Sequence, residues 1–267
     1  MNADETLLAG TYIEGTATVP SAPSAQAPQP QILDQPASKG RMMEERLAAH
    51  LPMALFTVDV KSGEVKVIHR STDWLNHLEF SPTDRTLLMF CHEGPWHKVD
   101  RIWLMRTDGG HIEKVHTRTM AMEIAGHEFW SADGKTLWYD LQTPRGEVFW
   151  LAAYRVDTGE RTWYALTRDG ALFCGDGGDP GQVAKAEHGQ WIYLFRPEQV
   201  LNVGTVDKSF INAGVLRAEK LVNMAKHNYR LEPNVRFTPD QKWVVFRFNM
   251  FEPTYAFAVE VAKAQLP

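Results

Sequence analysis

The sequence predicts an all-β chain built as a β-propeller, in which four-stranded antiparallel sheets, called blades, surround an axis. Two observations predict this fold. From Ala54 onward, apolar and β-branched segments alternate with Gly- or Asp-containing turns, and one turn phrase, "FSPTD" (80–84), recurs along the chain. Short strands that recur with such turns are typical of propeller blades. The copies amount to about four to five blade equivalents, against four to eight in closed propellers, so we expect an incomplete ring.

The turn phrase appears four times, and a strongly apolar segment follows each copy. The copies are "FSPTD" (80–84), "WSADG" (130–134), "TRDG" (167–170) and "FTPDQ" (237–241). The spacing between Asp133 and Asp169 is short for a blade, which needs about 40 or more residues. The last spacing, from Asp169 to Asp240, is long. Within that last step, "VLRAEKLVNMAKH" (215–227) has apolar spacing compatible with a helix, but the repeat favours a strand near 219–225.

Residues 1–53 are expected to form an N-terminal segment ahead of a propeller domain that covers residues 54–267. Residues 17–40 are rich in Pro, Ala, Ser and Gln and lack apolar periodicity, which predicts a long loop. The segment "RMMEERLAAH" (41–50) fits a short helix.

Composition excludes several classes of partner. The chain is 44% hydrophobic, which suffices for a sizeable core, and its formal net charge is −5 without a long basic run. We therefore expect neither nucleic acid nor a membrane surface as a partner. The apolar runs are far shorter than a membrane span. The N-terminus "MNADETLLAG" is acidic and unlike a signal peptide, so a cytoplasmic or periplasmic location without a signal peptide in this chain is expected.

Two clusters of ionisable side chains lie at positions that are defined by the repeat. The first, "CHEGPWHKVDR" (91–101), contains His92, Lys98 and Arg101 in a connection between two predicted strands. Loops on the rim of a rigid frame often carry function, although a solvated charged loop explains the same composition. The second is "GHEFW" (126–130), where His127 occupies the repeat position of His77 in "NHLEF" (76–80). A structural hydrogen-bonding role is expected for His77, and both roles stay open for His127.

A further cluster, "KHNYRLEPNVRF" (226–237), precedes the last turn phrase. Strand alternation places Glu232, Asn234 and Arg236 on one face, with His227 nearby. Imidazole, carboxylate and amide oxygen together can hold a divalent ion such as Mn²⁺. The spacing is not specific, so an ordinary polar strand is the alternative interpretation.

The chain resembles the oligogalacturonate lyases from about Leu7 to the C-terminus. The resemblance is carried by four phrases in the order of that family: "FSPTDRTLLMFCHEGPWHKVDRIWLMRTDG", "GHEFWSADGKTLWY", "FCGDGGDPGQ" and "LEPNVRFTPDQKWVVFRFNM". It implies a seven-bladed β-propeller that degrades short pectin fragments by β-elimination, with bound Mn²⁺ and a histidine base. Family members begin about two blades earlier, which implies an N-terminally truncated chain. They also have a longer counterpart of "YALTRDGALF" (164–173) that supplies a metal-binding histidine.

The resemblance also assigns roles to residues of this chain. His127 is the implied catalytic base, and Arg101 is implied to stabilise the substrate carboxylate. The implied substrate-binding residues are His92, Lys98 and Arg236, and the implied metal ligands are His227, Glu232 and Asn234. The expected partner is an oligogalacturonate. Two other classes stay open: a non-catalytic propeller that binds a protein or glycan on its rim, and an inactive lyase fragment.

Overall fold

The computed structural model describes residues 1–15, 36–166, 191–200, 210–228, 230–231, 233–251 and 253–263. Within these residues the chain is almost entirely β, as predicted. No helix among them is long and apolar enough to cross a membrane. The elements are, in chain order, β1 (Leu7–Ile13), α1 (Pro36–Ala49), β2 (Met53–Asp59), β3 (Val65–Ser71), β4 (Trp74–Phe80), β5 (Leu87–Glu93), β6 (Ile102–Arg106), β7 (Glu113–Lys114), β8 (Ile124–Trp130), β9 (Thr136–Gln142), β10 (Phe149–Arg155), β11 (Arg161–Leu166), β12 (Trp191–Gln199), β13 (Asn212–Asn223), β14 (Arg236–Phe237), β15 (Trp243–Phe248), β16 (Tyr255–Glu260) and a 3₁₀ turn (Val261–Lys263).

Two compact units divide the chain at Leu137 and Trp138. In the first unit, β1 pairs with β2 along its whole length, from Leu7 opposite Asp59 to Ile13 opposite Met53. The expected N-terminal segment therefore contributes a strand to the first sheet, whose order is β1-β2-β3. The helix begins at Pro36, earlier than the expected residue 41, and most of the Pro-rich stretch lies outside the described residues.

The second sheet of the first unit is a complete antiparallel blade, β4-β5-β6-β7. Its second strand, "LLMFCHE", is buried along almost its entire length, which fits a continuous apolar run in a central strand. Leu88 and Phe90 from this strand pack with Met53, Leu55 and Ile68 of the first sheet in one apolar cluster. Both sheets therefore share a core, and that core holds the ends of β5 and β6 in place.

In the second unit the strand order is β9-β10-β11-β13-β12. The strand expected near 219–225 is confirmed, because β13 runs from Asn212 to Asn223. It pairs antiparallel with β12 but parallel with β11, a departure from the antiparallel blades that the repeat predicts. Diagonal ion pairs, Arg196 with Glu219 (2.8 Å) and Arg217 with Glu198 (2.7 Å), join β12 to β13. The other edge of β13 is then available to β11.

The last sheet, β14-β15-β16, is antiparallel and belongs to the second unit. Its strands contribute Val244, Phe246 and Phe248 to an apolar cluster that also includes Ile192 and Met224. This cluster is separate from the core of the first unit, so each unit has apolar packing of its own.

Three copies of the turn phrase lie among the described residues and have the same geometry. The first hydroxyl residue of each copy donates its backbone N–H to the strand that follows: Ser81 to Leu87 (2.9 Å), Ser131 to Thr136 (2.8 Å) and Thr238 to Trp243 (2.9 Å). The predicted equivalence of these turns is therefore confirmed. The copy at 167–170 lies outside the described residues.

The residue four positions before each of these turns has a left-handed backbone. The φ angles are 49° at His77, 50° at His127 and 48° at Asn234. Asn and His are among the residues that tolerate this region best. The repeat therefore fixes the backbone at the start of each blade in one unusual conformation, and the residue type there can vary.

Gly134 tests the turn geometry, and Gly63 is a matched control. Both have positive φ, 66° and 73°, but a Cβ at Gly134 would collide with Oγ1 of Thr83, whereas a Cβ at Gly63 would meet nothing within 4 Å. Gly63→Ala should lower the free energy of unfolding by about 1–2 kcal/mol, the cost of the left-handed backbone. Gly134→Ala should cost about 1–3 kcal/mol more, because the turn is overpacked.

Urea unfolding of both variants measures the difference. Equal losses of stability in the two variants would contradict the packing of Gly134 against the neighbouring turn.

Candidate active site

The connection between β5 and β6, residues 94–101, is held in place by Asp100. The Asp100 carboxylate accepts hydrogen bonds from Lys114 Nζ (2.6 Å) and from Nε and the backbone N–H of Arg118 (both 3.1 Å). Arg118 also donates to the backbone carbonyls of His97 and Lys98. Burial alone would raise the pKa of Asp100, but these hydrogen bonds and positive charges hold it below its usual value. Asp100 therefore fixes the loop through Lys114 and Arg118.

Arg101, at the end of that loop, is buried between two carboxylates. Its side chain is 1% exposed, and its Nη2 lies 2.8 Å from Glu93 Oε1 and 3.2 Å from Glu128 Oε1. Glu93 and Glu128 are 5% and 3% exposed. Nε and Nη1 of Arg101 are buried and make no hydrogen bond to the residues that the structure describes. One nitrogen of the guanidinium, Nη2, therefore lies close to both carboxylates, and the other two nitrogens remain available as donors.

Cys91 completes this buried group. Its Sγ donates to Glu128 Oε1 at 3.0 Å. Burial and the Glu128 charge raise the pKa of the Cys91 thiol well above its usual value, so it remains a protonated donor. Burial by itself would raise the pKa of Glu128, but the charge of Arg101 and the hydrogen bond from Cys91 hold it below its usual value. Glu128 is therefore an ionised carboxylate inside the fold.

Trp96 lies between the buried guanidinium and His127. The Arg101 guanidinium carbon is 4.4 Å from the centroid of the Trp96 ring. His127 approaches the same indole edge-on, with ring centroids 5.2 Å apart and an interplanar angle of 77°. Gly126 permits this contact, because a Cβ there would stand 2.6 Å from the indole ring. The sequence "GHEFW" therefore places an exposed histidine beside an aromatic ring that covers a buried cation.

His92 and Lys98 are placed differently from the predicted carboxylate-binding rim. The His92 ring stacks on Trp103 at 4.6 Å and lies 3.2 Å from Asp73. Burial lowers the pKa of His92 to about 4 in spite of Asp73, so the ring is neutral at pH 7. The Lys98 ammonium is paired with Glu44 of α1 at 2.7 Å.

The predicted metal-binding residues lie in the second unit. His227 is buried, its Nε2 lies 2.8 Å from the Leu231 carbonyl oxygen, and its ring stacks on Phe248 at 5.4 Å. Asn234 is half-buried, Arg236 is exposed on β14, and Glu232 lies outside the described residues. The part of the chain that the structure describes contains no group of three His, Cys, Asp or Glu side chains that could hold a metal ion. Because Glu232 lies outside those residues, the predicted manganese site stays a prediction.

Sequence reasoning missed four residues of the site: His77, Cys91, Glu93 and Glu128. His77 was expected to be structural, yet it lines a small cleft of about 200 Å³ together with Glu128. Glu93 and Glu128 stand beside predicted site residues in "CHEG" and "GHEF". The available signal was the presence of acids next to each predicted functional histidine.

A family model of oligogalacturonate lyases matches residues 35–263. The chain belongs to the oligogalacturonate lyase family. An oligogalacturonide lyase of Pectobacterium atrosepticum is 28% identical over 218 residues, and an oligogalacturonate lyase of Dickeya dadantii is 27% identical over the same length. Each alignment covers 72% of this chain and 51% of the relative. The chain thus spans about half the length of these two lyases.

Two solved structures of oligogalacturonate lyases share the fold. One, in complex with manganese, has a TM-score of 0.61 and 25% sequence identity. The superposition covers 100% of this chain and 64% of the chain in that structure. The other, from Vibrio parahaemolyticus, has a TM-score of 0.68 and 24% sequence identity. The superposition covers 97% of this chain and 64% of the chain in that structure. The predicted propeller fold class and the family resemblance are therefore confirmed.

Removing the buried cation of this lyase-family site should be costly. Arg101→Met leaves Glu93 and Glu128 buried without their ion-pair partner, and the free energy of unfolding should fall by about 3–5 kcal/mol. Lys98→Met breaks an exposed pair, in which Lys98 and Glu44 are 45% and 48% exposed, and should cost less than about 1 kcal/mol. Denaturant unfolding at pH 7 measures both losses. A cost for Arg101→Met as small as that for Lys98→Met would contradict the buried ion pairs.

Proposed function

We propose that this chain cleaves short oligogalacturonates by β-elimination, as the names of its relatives indicate for those proteins. One observation supports the proposal most directly. An exposed histidine, His127, is held by a left-handed backbone against Trp96, and the buried guanidinium of Arg101 lies over the same indole. A base and a cation that contact the same aromatic ring are the two groups that proton removal beside a carboxylate needs.

The reaction begins at C5 of the uronate, because the proton there is α to the carboxylate. Neutral His127 takes this proton, and the electron pair that remains is stabilised by positive charge near the carboxylate. The pair then forms the C4–C5 double bond as the C4–O bond breaks. The departing oxygen takes up a proton, so the products are a shortened oligomer and a fragment with an unsaturated uronyl end.

In this proposal Arg101 receives the uronate carboxylate. Nε and Nη1 of its guanidinium make no hydrogen bond to the described part of the protein. A guanidinium keeps its proton at all working pH values and matches a carboxylate with two parallel donors. Both nitrogens are buried in this structure, where the Trp96 indole lies against the guanidinium, so the proposal requires the Trp96 side chain to move when the carboxylate binds. The substrate-binding roles of His92, Lys98 and Arg236 stay predictions.

Manganese is a separate prediction and no step above uses it. A solved relative is in complex with manganese. When bound, such an ion supplies Lewis-acid stabilisation of a carboxylate. Glu232, with His227 and Asn234, is the predicted ligand set of this chain. The segment that supplies a further histidine in the family is shorter here, so we expect weak binding.

The activity itself is tested by incubating the purified chain with di- and trigalacturonate and following the ultraviolet absorbance of the new C4–C5 double bond. An increase in absorbance with time supports the proposal. If absorbance stays constant, calorimetry with the same oligomers separates the two alternatives: measurable binding indicates a non-catalytic glycan-binding propeller, and no binding indicates an inactive fragment.

His127→Asn tests the base. Asn suits the left-handed backbone, because Asn234 has the same conformation in the equivalent copy, so the variant should stay folded. General-base catalysis contributes about 10²–10⁴-fold, and kcat should fall by that factor. His111→Asn is the control, since His111 is also exposed with a φ of 47°; it should keep full activity. Full activity in a folded His127→Asn variant would show that another group is the base.

Manganese binding is tested on thermal stability. After treatment with a chelator, added Mn²⁺ should raise the Tm of the wild-type chain, because a ligand that binds the folded state stabilises it. The His227→Ala, Glu232→Ala, Asn234→Ala triple variant should lose this increase, and Mg²⁺ serves as the ion control. Stoichiometric Mn²⁺ in the triple variant would refute these ligands.

A further inference from the structure

The segment 115–123, which connects β7 to β8, joins two parts of the candidate site. Trp96 lies in the connection between β5 and β6, and His127 lies on β8. The first residue of the segment, Val115, is fully buried and donates its backbone N–H to the Ile102 carbonyl of β6 (2.9 Å). Its last residue stands directly before β8. The segment therefore runs from the strand that follows the Trp96 connection to the strand that carries the proposed base.

Glu123 anchors the end of this segment. Its side chain is 0% exposed, and its Oε1 lies 2.5 Å from Nε2 of His116. Its Oε2 accepts hydrogen bonds from the backbone N–H and the hydroxyl of Thr119 (2.8 and 2.7 Å) and from the backbone N–H of Met120 (3.2 Å). The loss of these donors would leave a buried carboxylate without partners, which is costly. The segment is therefore fixed next to the start of β8.

Arg118 extends from the middle of the segment to the connection that carries Trp96. Its Nε lies 3.1 Å from Asp100 Oδ1, its Nη2 donates to the Lys98 carbonyl at 3.0 Å, and its Nη1 donates to the His97 carbonyl. A guanidinium presents five N–H donors in a rigid plane, so it can engage several acceptors at once. One side chain of the segment therefore holds three of the four residues that follow Trp96.

The residues that Arg118 holds stand directly between Trp96 and Arg101 in the chain. Arg101 is also held by its ion pairs with two buried carboxylates. Trp96 is half-buried and contacts the Arg101 guanidinium at 4.4 Å and the ring of His127 at 5.2 Å. The place of the indole, and through it the orientation of the His127 ring, therefore depends on the backbone that Arg118 holds.

We infer that Arg118 is a positioning residue of the proposed active site: it fixes the connection that carries Trp96, so that the indole keeps its edge-to-face contact with the base His127. The effect on proton abstraction rests on the proposed function, and the hold on the connection does not. Arg118 acts through Trp96, because its own hydrogen bonds go to residues 97–100. A base must lie within hydrogen-bond reach of the proton it removes, so a displaced ring slows the reaction.

Limited proteolysis of the native chain with trypsin tests the hold on the connection without any substrate. Lys98 is 45% exposed, and its carbonyl, at the bond that trypsin would cut, accepts from Arg118. Arg118→Met keeps the unbranched side chain and removes every donor. Cleavage after Lys98 should become about tenfold faster, because proteolysis follows the population of the open form and hydrogen bonds from a charged group are strong. Mass spectrometry of the fragments measures this rate.

Two controls separate a local opening from a general loss of stability. Cleavage after Lys61, in the exposed turn between β2 and β3, should keep its wild-type rate in Arg118→Met. Arg106→Met removes an arginine that pairs with Asp84 (2.6 Å) and Thr86 (2.7 Å) in the same blade, and it should leave cleavage after Lys98 unchanged. A wild-type rate after Lys98 in Arg118→Met overturns the hold on the connection.

The lyase assay tests the positioning of the base. In Arg118→Met, kcat should fall about three- to tenfold, the effect of losing one aromatic contact that orients the base. KM should stay within about twofold of the wild-type value, because Arg101 keeps its ion pairs. Arg118→Lys, which keeps the charge but loses the planar fork, should be intermediate, and Arg106→Met should keep both constants. An increase in KM with an unchanged kcat would overturn the positioning of the base.

The route through Trp96 is tested by combining two substitutions. Trp96→Leu keeps apolar bulk over the guanidinium but has no ring to contact His127. In this background Arg118→Met should lower kcat no further, because substitutions that act through one contact are not additive. An equal loss of kcat in both backgrounds would show that Arg118 acts by another route. If the wild-type chain cleaves no oligogalacturonate, the proposed function and the positioning of a base both fail, and the trypsin result alone decides whether Arg118 holds the connection.

Discussion

The ion pairs of Arg101 with Glu93 and Glu128 are the constraint on which the rest of the candidate site depends. Three charged side chains that are nearly inaccessible to water lose hydration worth several kcal/mol each, and mutual attraction restores it only with good geometry. The surroundings supply that geometry: the thiol of Cys91 donates to Glu128, the indole of Trp96 covers the guanidinium, and His77 faces both carboxylates. Of the strands that contribute these residues, β4 and β5 pack into an apolar core, so packing as well as charge holds His77, Cys91 and Glu93 in place.

A second constraint is the left-handed backbone that three copies of the repeat share. At His77, His127 and Asn234 the chain takes φ values near 50° four residues before a hydroxyl-containing turn. The turn and the strand after it have strong local sequence signals, and they fix where the unusual residue falls. The repeat thus provides one structural position whose side chain can differ between blades. A histidine at this position can contact a buried cluster in one copy and an aromatic ring in the next.

Local features of the fold could be predicted from the sequence, and contacts between distant segments could not. The turn phrases and the apolar strand after each were readable because Gly, Asp and Pro restrict the backbone within a few residues. The strand β13 could also be predicted. Its parallel pairing with β11 could not, because that pairing depends on which edge of β13 remains available after β13 has paired with β12. For the site, His127 and Arg101 were predicted as catalytic residues; both contact Trp96, and their catalytic roles stay predictions. The burial of Arg101 was not foreseen, because Glu93 and Glu128 stand on different strands. His92 was expected on an exposed rim, and its burial beside Trp103 depends on tertiary packing.

The candidate site residues of this chain are divided between the two units. His127, Trp96, Arg101 and the residues that hold them all belong to the unit Met1–Leu137. His227 and Asn234 belong to the unit Trp138–Pro267. Each unit has an apolar cluster of its own, so a substitution in one core acts first on the residues of that unit. The contacts of Trp96 with Arg101 and with His127 therefore lie within one unit, whereas the predicted metal ligand His227 stacks on Phe248 in the other. A chain that spans about half the length of its relatives can retain these contacts, because the cluster and the apolar core that packs against β5, with Met53, Leu55 and Ile68, lie in the unit Met1–Leu137.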